Sequence, residues 1–214
     1  MGQTLCGVIL AAGESSRMGS DKALLPWPPH PTSPEQSETF LSATIRLFLS
    51  HTDIVLVVVG KNEAALSPIV YANGASLVVN PEPARGQFSS LQLGLQEVMN
   101  RGRDTAMITL VDRPPVQKET IETLEAAFNK AIVKRKWAVI PEYQGKHGHP
   151  ILIGREMLGE FLKAPETSNA REVERAHEDD IEYVPLDDPL IALNIDTPEQ
   201  YASLNRPPRI VPSS

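Results

Sequence analysis

The sequence is poor in several features that would assign it to a protein class at once. Among its 214 residues Cys6 is the single cysteine, and aromatic residues make up 5% of the chain. One cysteine excludes both a disulfide framework and a cysteine-based metal site. No apolar run is long enough to cross a bilayer, and the N-terminus lacks the basic and apolar regions of a signal peptide. No membrane contact is therefore expected, and the expected location is the cytoplasm.

The chain also lacks an excess of basic residues. Its formal net charge is −7, which argues against nucleic acid or an anionic membrane as the main partner but is compatible with a local basic pocket. A chain of this length can bury roughly 70% of its unfolded surface in one core. We therefore expect one domain over residues 1–206, followed by a loose tail at 207–214 in which proline and serine are frequent.

Short apolar runs alternate with amphipathic segments along most of the chain. Runs without polar interruption predict strands that are buried on both faces, and the helices expected between them predict a parallel α/β sheet. The predicted strands of this sheet cover residues 8–11, 54–59, 75–79, 106–111 and 137–141. The predicted fold is a single-domain, Rossmann-like, mostly parallel sheet with helices on both faces. Shorter strands at 151–153, 181–185 and 191–195 predict a small antiparallel edge. The proline-rich stretch 26–38 is predicted to be irregular.

A glycine-rich segment follows the first predicted strand. It carries Gly13, Arg17, Gly19 and Lys22 and has little that could join a core. Glycine lets backbone amides approach an anion, while a guanidinium and an ammonium supply the two kinds of cation that a triphosphate uses. The spacing is neither that of a P-loop nor that of the G-x-G-x-x-G dinucleotide fingerprint. The segment is interpreted as a phosphate-binding loop, with an ordinary surface loop as the alternative.

Asp112 and Asp196 each follow an apolar run. Each is therefore predicted to lie at the carboxyl end of a strand, where ligands bind in an open α/β sheet. A pair of carboxylates at this edge can hold Mg²⁺, which prefers oxygen ligands. From spacing alone, however, a capping role is the simpler interpretation, because Asp196 precedes Pro198 and Asp112 precedes Pro114.

Ser89 is predicted to begin a helix, with Gln92 as its partner in a capping box. Gly86 and the hydroxyls of Ser89 and Ser90 would present donors suited to a nucleotide base or a phosphate. An ordinary capped helix explains the same pattern.

Six segments, in order along the chain, resemble signatures of the MobA-like nucleotidyltransferases, which join a nucleoside monophosphate to a phosphorylated pterin or sugar. The matching segments are LAAGESSRMGSDKALL at 10–25, the N-P…G-x-x-S-S-L pattern at 80–91, LVDRPPV at 110–116, GHP at 148–150, the A-R pair at 170–171 and NIDTPEQY at 194–201. The sequence departs from the family at Val111 and Arg113, where Gly and Gln or Met are usual, and at Asn194, where Asp is usual.

The resemblance implies a role for each matched position. It implies that the nucleotide is bound by Leu10, Ala11, Ala12, Gly13, Lys22, Asn80, Gly86, Ser89 and Ser90. It implies that Arg17, Lys22 and Asp112 are catalytic, that Asp112 and Asp196 hold Mg²⁺, and that His149 and Arg171 bind the acceptor. Arg113 is interpreted as a partner for a substrate phosphate.

The resemblance further implies transfer of CMP from CTP, since Ala12 and the Ser89–Ser90 pair are similar to the CTP-using, molybdenum cofactor branch of the family. The implied acceptor is a phosphorylated molecule such as molybdopterin, and transient contact with a molybdoenzyme is the implied protein interaction. Transfer to a sugar phosphate and a non-catalytic nucleotide or pterin carrier are the alternatives. A dehydrogenase on the same sheet is disfavoured, because the dinucleotide fingerprint is missing.

Overall fold

The computed structural model describes residues 5–13, 18–29 and 38–204. The predicted tail at 207–214 lies outside the described residues, and the single-domain assignment stays a prediction. The strands described are β1 Cys6–Leu10, β2 Pro26–Trp27, β3 Glu38–Thr39, β4 Ile54–Val59, β5 Ser76–Val79, β6 Ala106–Leu110, β7 Ala138–Tyr143, β8 Lys146–His147, β9 Ile151–Ile153 and β10 Ile181–Pro185. The α-helices described are α1 Phe40–Leu49, α2 Glu63–Ala72, α3 Gln87–Asn100, α4 Lys118–Val133, α5 Arg155–Lys163, α6 Ala170–Ala176 and α7 Pro198–Ser203.

The main sheet has the strand order β10-β7-β9-β6-β1-β4-β5, with β8 paired to β7. β1 lies inside the sheet and pairs in parallel with β4 and β6. The predicted mixed α/β class is thus confirmed. The antiparallel pairing is found at β8 and at β9, which lies inside the sheet between β6 and β7, whereas the edge strand β10 runs parallel to β7. Strand spacing along the sequence does not specify order in the sheet, so this arrangement could not be predicted from it.

Helices cover both faces of the sheet because its central strands are apolar on both sides. α1, α2 and α4 pack on one face, against side chains that include Ile9 and Val57. α3, α5 and α6 pack on the other face, against side chains that include Val8 and Val58. Gly94 lets α3 approach the sheet closely, since a Cβ there would lie 3.0 Å from both Val8 and Val58. None of the helices in the described part of the chain is long and apolar enough to cross a bilayer.

Two local predictions differ from the structure, and one helix, α2, is not predicted at all. The sequence does not indicate α2, because Leu66 and Val70 are its only buried residues and Pro68 lies inside it. The predicted strand at 191–195 is instead a 3₁₀ turn, Pro189–Ala192, followed by irregular chain, since Pro189 favours a turn start. Within 26–38, the ends are ordered as β2 and β3, which pair with each other, and residues 30–37 lie outside the described residues.

Candidate active site

The end of β1 is fixed between β4 and β6 at the carboxyl rim of these parallel strands. The backbone N–H of Ala11 donates to the carbonyl of Val58 on one side at 2.8 Å, and Val111 N–H donates to Leu10 on the other side at 3.0 Å. The chain then leaves the sheet at Ala12 and Gly13. Ala12 and Gly13, and Asp112 after β6, therefore lie on the same rim.

Lys22 brings its ammonium group between the two predicted acids. It begins a 3₁₀ turn, Lys22–Leu24, and only 8% of the residue is exposed. Its Nζ lies 2.6 Å from Oδ1 of Asp196 and 3.9 Å from Oδ2 of Asp112. Three side chains from positions 22, 112 and 196 thus converge on one point of the rim. The three side chains lie together, as the two-acid prediction requires, and their roles in binding a metal and a nucleotide stay predictions.

Asp196 reaches this point from irregular chain rather than from the end of a strand. The preceding residue, Ile195, donates its N–H to the carbonyl of Asp112 at 2.8 Å, which fixes the two aspartates to neighbouring positions. Ile195 is also fully buried, in a small cluster with Phe40 and Met18. The helix-capping role suggested for Asp196 falls to Thr197, which accepts the hydrogen bond of a capping box at α7. The Asp196 carboxylate instead contacts Lys22.

Asp112 has the features of a cation ligand. Its Oδ1 is buried and has no hydrogen-bond partner among the described residues. Burial raises the pKa of this carboxyl group, and the positive charge of Lys22 opposes that increase. The Lys22 ammonium already interacts with both carboxylates, which shows that positive charge is stabilised here. Because the donors are carboxylate oxygens, they also suit a hard cation. In the described ranges no group of three or more His, Cys, Asp or Glu side chains could hold a metal. The two carboxylates could hold a divalent cation only together with oxygens from substrate or water.

A cleft of about 340 Å³ opens where the chain leaves β1. Five of the predicted nucleotide-binding residues line it, and Pro83, Ala84 and Gln87, which the sequence did not single out, line it as well. The five predicted residues are Leu10, Ala12, Gly13, Gly86 and Ser90. A Cβ at Gly13 would meet no atom within 4 Å, and Gly86 has a φ of 99°, which favours glycine.

The remaining predicted nucleotide-binding residues are not among those that line the cleft. Asn80 is buried, and its Nδ2 donates to the hydroxyls of Ser89 at 3.1 Å and Ser90 at 2.9 Å. Ala11 is also buried and is not among the cleft-lining residues. The predicted capping box is wrong: α3 begins at Gln87, and Gln92 donates instead to the carbonyls of Phe161 and Ala164. Ser89 donates to the carbonyl of Gly86 at the start of the same helix.

The G-H-P turn packs against the carbonyl group of Ile191. A Cβ at Gly148 would overlap that carbonyl, so glycine is required by the close approach. The same oxygen accepts from His149 N–H and from Nη1 of Arg113, each at 2.9 Å. His149 Nδ1 lies 3.3 Å from the carbonyl of Ile108, and burial together with the charge of Arg113 lowers the histidine pKa to about 3. His149 is therefore neutral, with Nε2 as its acceptor atom.

The two arginines on this side differ in their surroundings. Arg171 is exposed on α6, whereas Arg113 is desolvated, which lowers its pKa, and lies within electrostatic reach of both Asp112 and Arg171. Nε of Arg113 is buried and has no hydrogen-bond partner in the part of the chain that the structure describes. Arg113 thus has a structural role, because its Nη1 donates to the carbonyl of Ile191 and holds that segment against the G-H-P turn. Arg17, the other predicted cation, lies outside the described residues.

Known proteins resemble this chain in sequence and in fold. A family model described as MobA-like NTP transferase domain matches residues 7–181. The molybdenum cofactor cytidylyltransferase of Escherichia coli (strain K12) is 28% identical over 91% of this chain and 92% of its own length. A probable molybdenum cofactor guanylyltransferase of Rhodopirellula baltica is 29% identical over 59% of this chain and 57% of its own length.

Solved structures show the same fold. That of Rv0371c from Mycobacterium tuberculosis H37Rv matches with a TM-score of 0.76 and 23% identity, over 94% of this chain and 98% of the other. A structure of the same protein described as a complex with manganese matches with a TM-score of 0.69 and 21% identity over the same shares.

Proposed function

The chain belongs to the MobA-like NTP transferase family, and we propose that it moves CMP from CTP to the phosphate group of molybdopterin. In this reaction an anionic oxygen of the acceptor phosphate attacks the α-phosphorus of CTP. The bond from that phosphorus to the bridging oxygen breaks, and pyrophosphate leaves with the electron pair. No protein nucleophile is needed, because the acceptor already carries the attacking oxygen.

The observation that carries the proposal is the convergence of Lys22, Asp112 and Asp196 on the rim of the sheet at which the cleft beyond β1 also opens. Phosphoryl transfer depends mostly on positioning and on neutralising the phosphate charge. A buried ammonium and two carboxylates, on the rim of the sheet where the cleft also opens, supply the groups for both tasks. A protein that only carried a pterin would not require this pair of carboxylates beside a lysine.

Each residue of the site has a proposed role. Lys22, together with the predicted contribution of Arg17, neutralises the triphosphate, and the loop at Ala12 and Gly13 lies against it. Asp112 and Asp196 hold a divalent cation, for which we propose Mg²⁺. When bound, this cation supplies positive charge to the phosphate oxygens and orients them. The manganese in the Rv0371c complex supports a divalent cation in this fold, and the oxygen donors here suit magnesium.

The proposed choice of CTP depends on the cleft. Ala12 and Ser90 both line it and both belong to the segments that resemble the CTP-using branch. The relative from Escherichia coli, which matches along nearly the whole chain, is named a cytidylyltransferase. We assign base and ribose contacts to Ser90 and Gly86, while Asn80 and Ser89 hold this part of the chain in place.

The proposed acceptor side is formed around the G-H-P turn. His149 is neutral and offers Nε2, and Arg171 and Arg113 provide positive charge for an anionic acceptor. A cytoplasmic location and transient delivery of the product to a molybdoenzyme belong to the same proposal, because a nucleotide-bearing pterin must be inserted into an enzyme to be used.

Isothermal titration calorimetry with CTP, GTP, ATP and UTP in the presence of Mg²⁺ tests the nucleotide. We expect CTP to bind at least tenfold more tightly than the others. Pyrophosphate release from CTP with molybdopterin, and in parallel with a sugar 1-phosphate, then tests the reaction and the acceptor. Release with the pterin alone supports the proposal. Binding of CTP without release would indicate a carrier, and release with the sugar phosphate alone would replace the proposed acceptor.

A further inference from the structure

Asn62 connects three chain segments at the rim that carries the candidate site. Its Oδ1 accepts from the N–H of Gly60, directly after β4, at 3.0 Å. Its Nδ2 donates to the carbonyl of Ala11, directly after β1, at 2.9 Å, and to Oδ2 of Asp21 at 2.7 Å. One carboxamide therefore fixes the ends of two neighbouring strands to the residue that precedes Lys22.

Asp21 passes this constraint on to Lys22. Its other carboxylate oxygen, Oδ1, accepts from the N–H of Ala23 at 3.0 Å and so caps the 3₁₀ turn that Lys22 begins. This 3₁₀ turn directs the Lys22 side chain inward, so that its Nζ lies 2.6 Å from Oδ1 of Asp196. The chain of contacts thus runs from Asn62 through Asp21 to the ammonium group.

A helix cap would be the ordinary explanation for an asparagine in this position, because Asn62 directly precedes α2. Its side chain, however, makes no capping hydrogen bond, and its backbone has φ −87° and ψ 11° rather than the extended conformation of a capping residue. The carboxamide points away from the helix and is used at the rim instead.

We propose that Asn62 is a positioning residue, which holds Asp21 and through it Lys22 in the orientation required for nucleotide and cation binding. The inference rests on the proposed function for its consequence in catalysis, but the placement of Lys22 can be measured without any substrate. Asn62 belongs to none of the segments that resemble the family.

The direct test is the accessibility of the Lys22 amine. Wild-type protein and the Asn62→Ala variant are acetylated under limiting reagent, and labelling at Lys22 is quantified by mass spectrometry of the peptide. Because the wild-type residue is buried, slow labelling is expected, and Asn62→Ala should raise the rate about tenfold. Asn73→Ala is the matched control, since Asn73 also lies next to α2, is half-buried and donates through Nδ2 to the carbonyl of Ile69 at 2.8 Å. It should leave Lys22 labelling unchanged.

A reciprocal exchange separates this role from general stabilisation. Asn62→Asp alone replaces the amide that bonds Asp21 by a second carboxylate, and the repulsion between the two should increase Lys22 labelling. Combined with Asp21→Asn, it restores the amide-to-carboxylate hydrogen bond but not the bond to the carbonyl of Ala11, so labelling should fall below that of Asn62→Asp without reaching the wild-type rate. Melting temperatures of all variants show which of them remain folded. Equal labelling in wild type and Asn62→Ala, or no recovery in the exchanged pair, would overturn the proposal.

Calorimetry then measures the consequence for the site. The dissociation constant for CTP with Mg²⁺ should rise about tenfold in Asn62→Ala and stay unchanged in Asn73→Ala. If the wild type binds no nucleotide while Lys22 labelling still rises in Asn62→Ala, the positioning role stands and the proposed function fails. If the wild type binds CTP and Asn62→Ala matches it in both assays, the positioning role fails alone.

Discussion

Replacing Lys22 by methionine tests how the rim balances its charges. The substitution keeps the length and apolar stem of the side chain but removes the ammonium that lies 2.6 Å from Asp196 and 3.9 Å from Asp112. At an effective dielectric constant of about 20, these distances correspond to gross attractions of about 6 and 4 kcal/mol. Desolvation of the three groups offsets much of this. Removing one partner of a buried ion pair costs about 3–5 kcal/mol in measured cases, because the opposite charge stays behind.

For a chain of this size, 1 kcal/mol shifts the melting temperature by about 2–4 °C. Lys22→Met should therefore melt about 6–20 °C below the wild type in a buffer free of divalent cations. Magnesium should recover part of this loss, because a cation that binds only the native state at 100 times its dissociation constant stabilises by about 2.7 kcal/mol. The wild type should gain less, since its lysine already interacts with both carboxylates.

Circular dichroism melts with EDTA and with Mg²⁺ measure both effects. Lys118→Met is the control, because Lys118 is exposed and its ion pair with Glu122 lies on the surface, so its melting temperature should change by less than about 2 °C. Equal melting temperatures for Lys22→Met and wild type, with equal gains from Mg²⁺, would show that the Lys22 ammonium does not stabilise the Asp112 and Asp196 carboxylates.

Three further predictions follow from individual buried groups. Burial raises the pKa of Cys6 to about 12, so native protein should resist iodoacetamide at pH 8 and react fully in 6 M guanidinium chloride. The free energy of unfolding should also fall as pH rises above about 9, because the thiol loses its proton there only in the unfolded chain. The pKa of His149 is lowered to about 3, so its NMR signals should not titrate between pH 5 and 8. Its contribution to the free energy of unfolding should be lost as pH falls from about 6.5 toward 3. An NMR titration midpoint near pH 6.5 would contradict this. Gly94→Ala should destabilise the protein by about 1–3 kcal/mol in denaturant unfolding despite alanine's helix propensity, because the new methyl group would crowd Val8 and Val58; a gain in stability would show that α3 can move away from the sheet.

The sequence predicted the sheet where its signal was strongest. The runs that form β1, β4 and β6 are apolar without interruption, because these strands are covered on both faces. The interior position of β9 could not be predicted, since nothing local to Ile151–Ile153 records which strands it pairs with. α2 was missed for a related reason: a helix that buries only Leu66 and Val70 leaves almost no periodic pattern.

The candidate site was predictable as a set of residues but not as a set of contacts. The family resemblance singled out Lys22, Asp112 and Asp196, and the carboxyl ends of strands explain why acids at 112 and 196 could meet. It did not reveal that Asp196 arrives on irregular chain, tied to Asp112 through Ile195. Asn62 carried no signal either, because it belongs to no matched segment and the helix that follows it was not predicted.

The central claim is that the rim formed by Lys22, Asp112 and Asp196 transfers a nucleotidyl group, and pyrophosphate release by the Asp112→Asn variant tests it most directly. With CTP, Mg²⁺ and molybdopterin, we expect wild-type protein to release pyrophosphate and Asp112→Asn to release it at least about 100-fold more slowly, with an unchanged circular dichroism spectrum. Asp179→Asn, a change at an exposed acid on the turn Glu178–Asp180, should retain the wild-type rate. Release by Asp112→Asn at the wild-type rate would contradict the account.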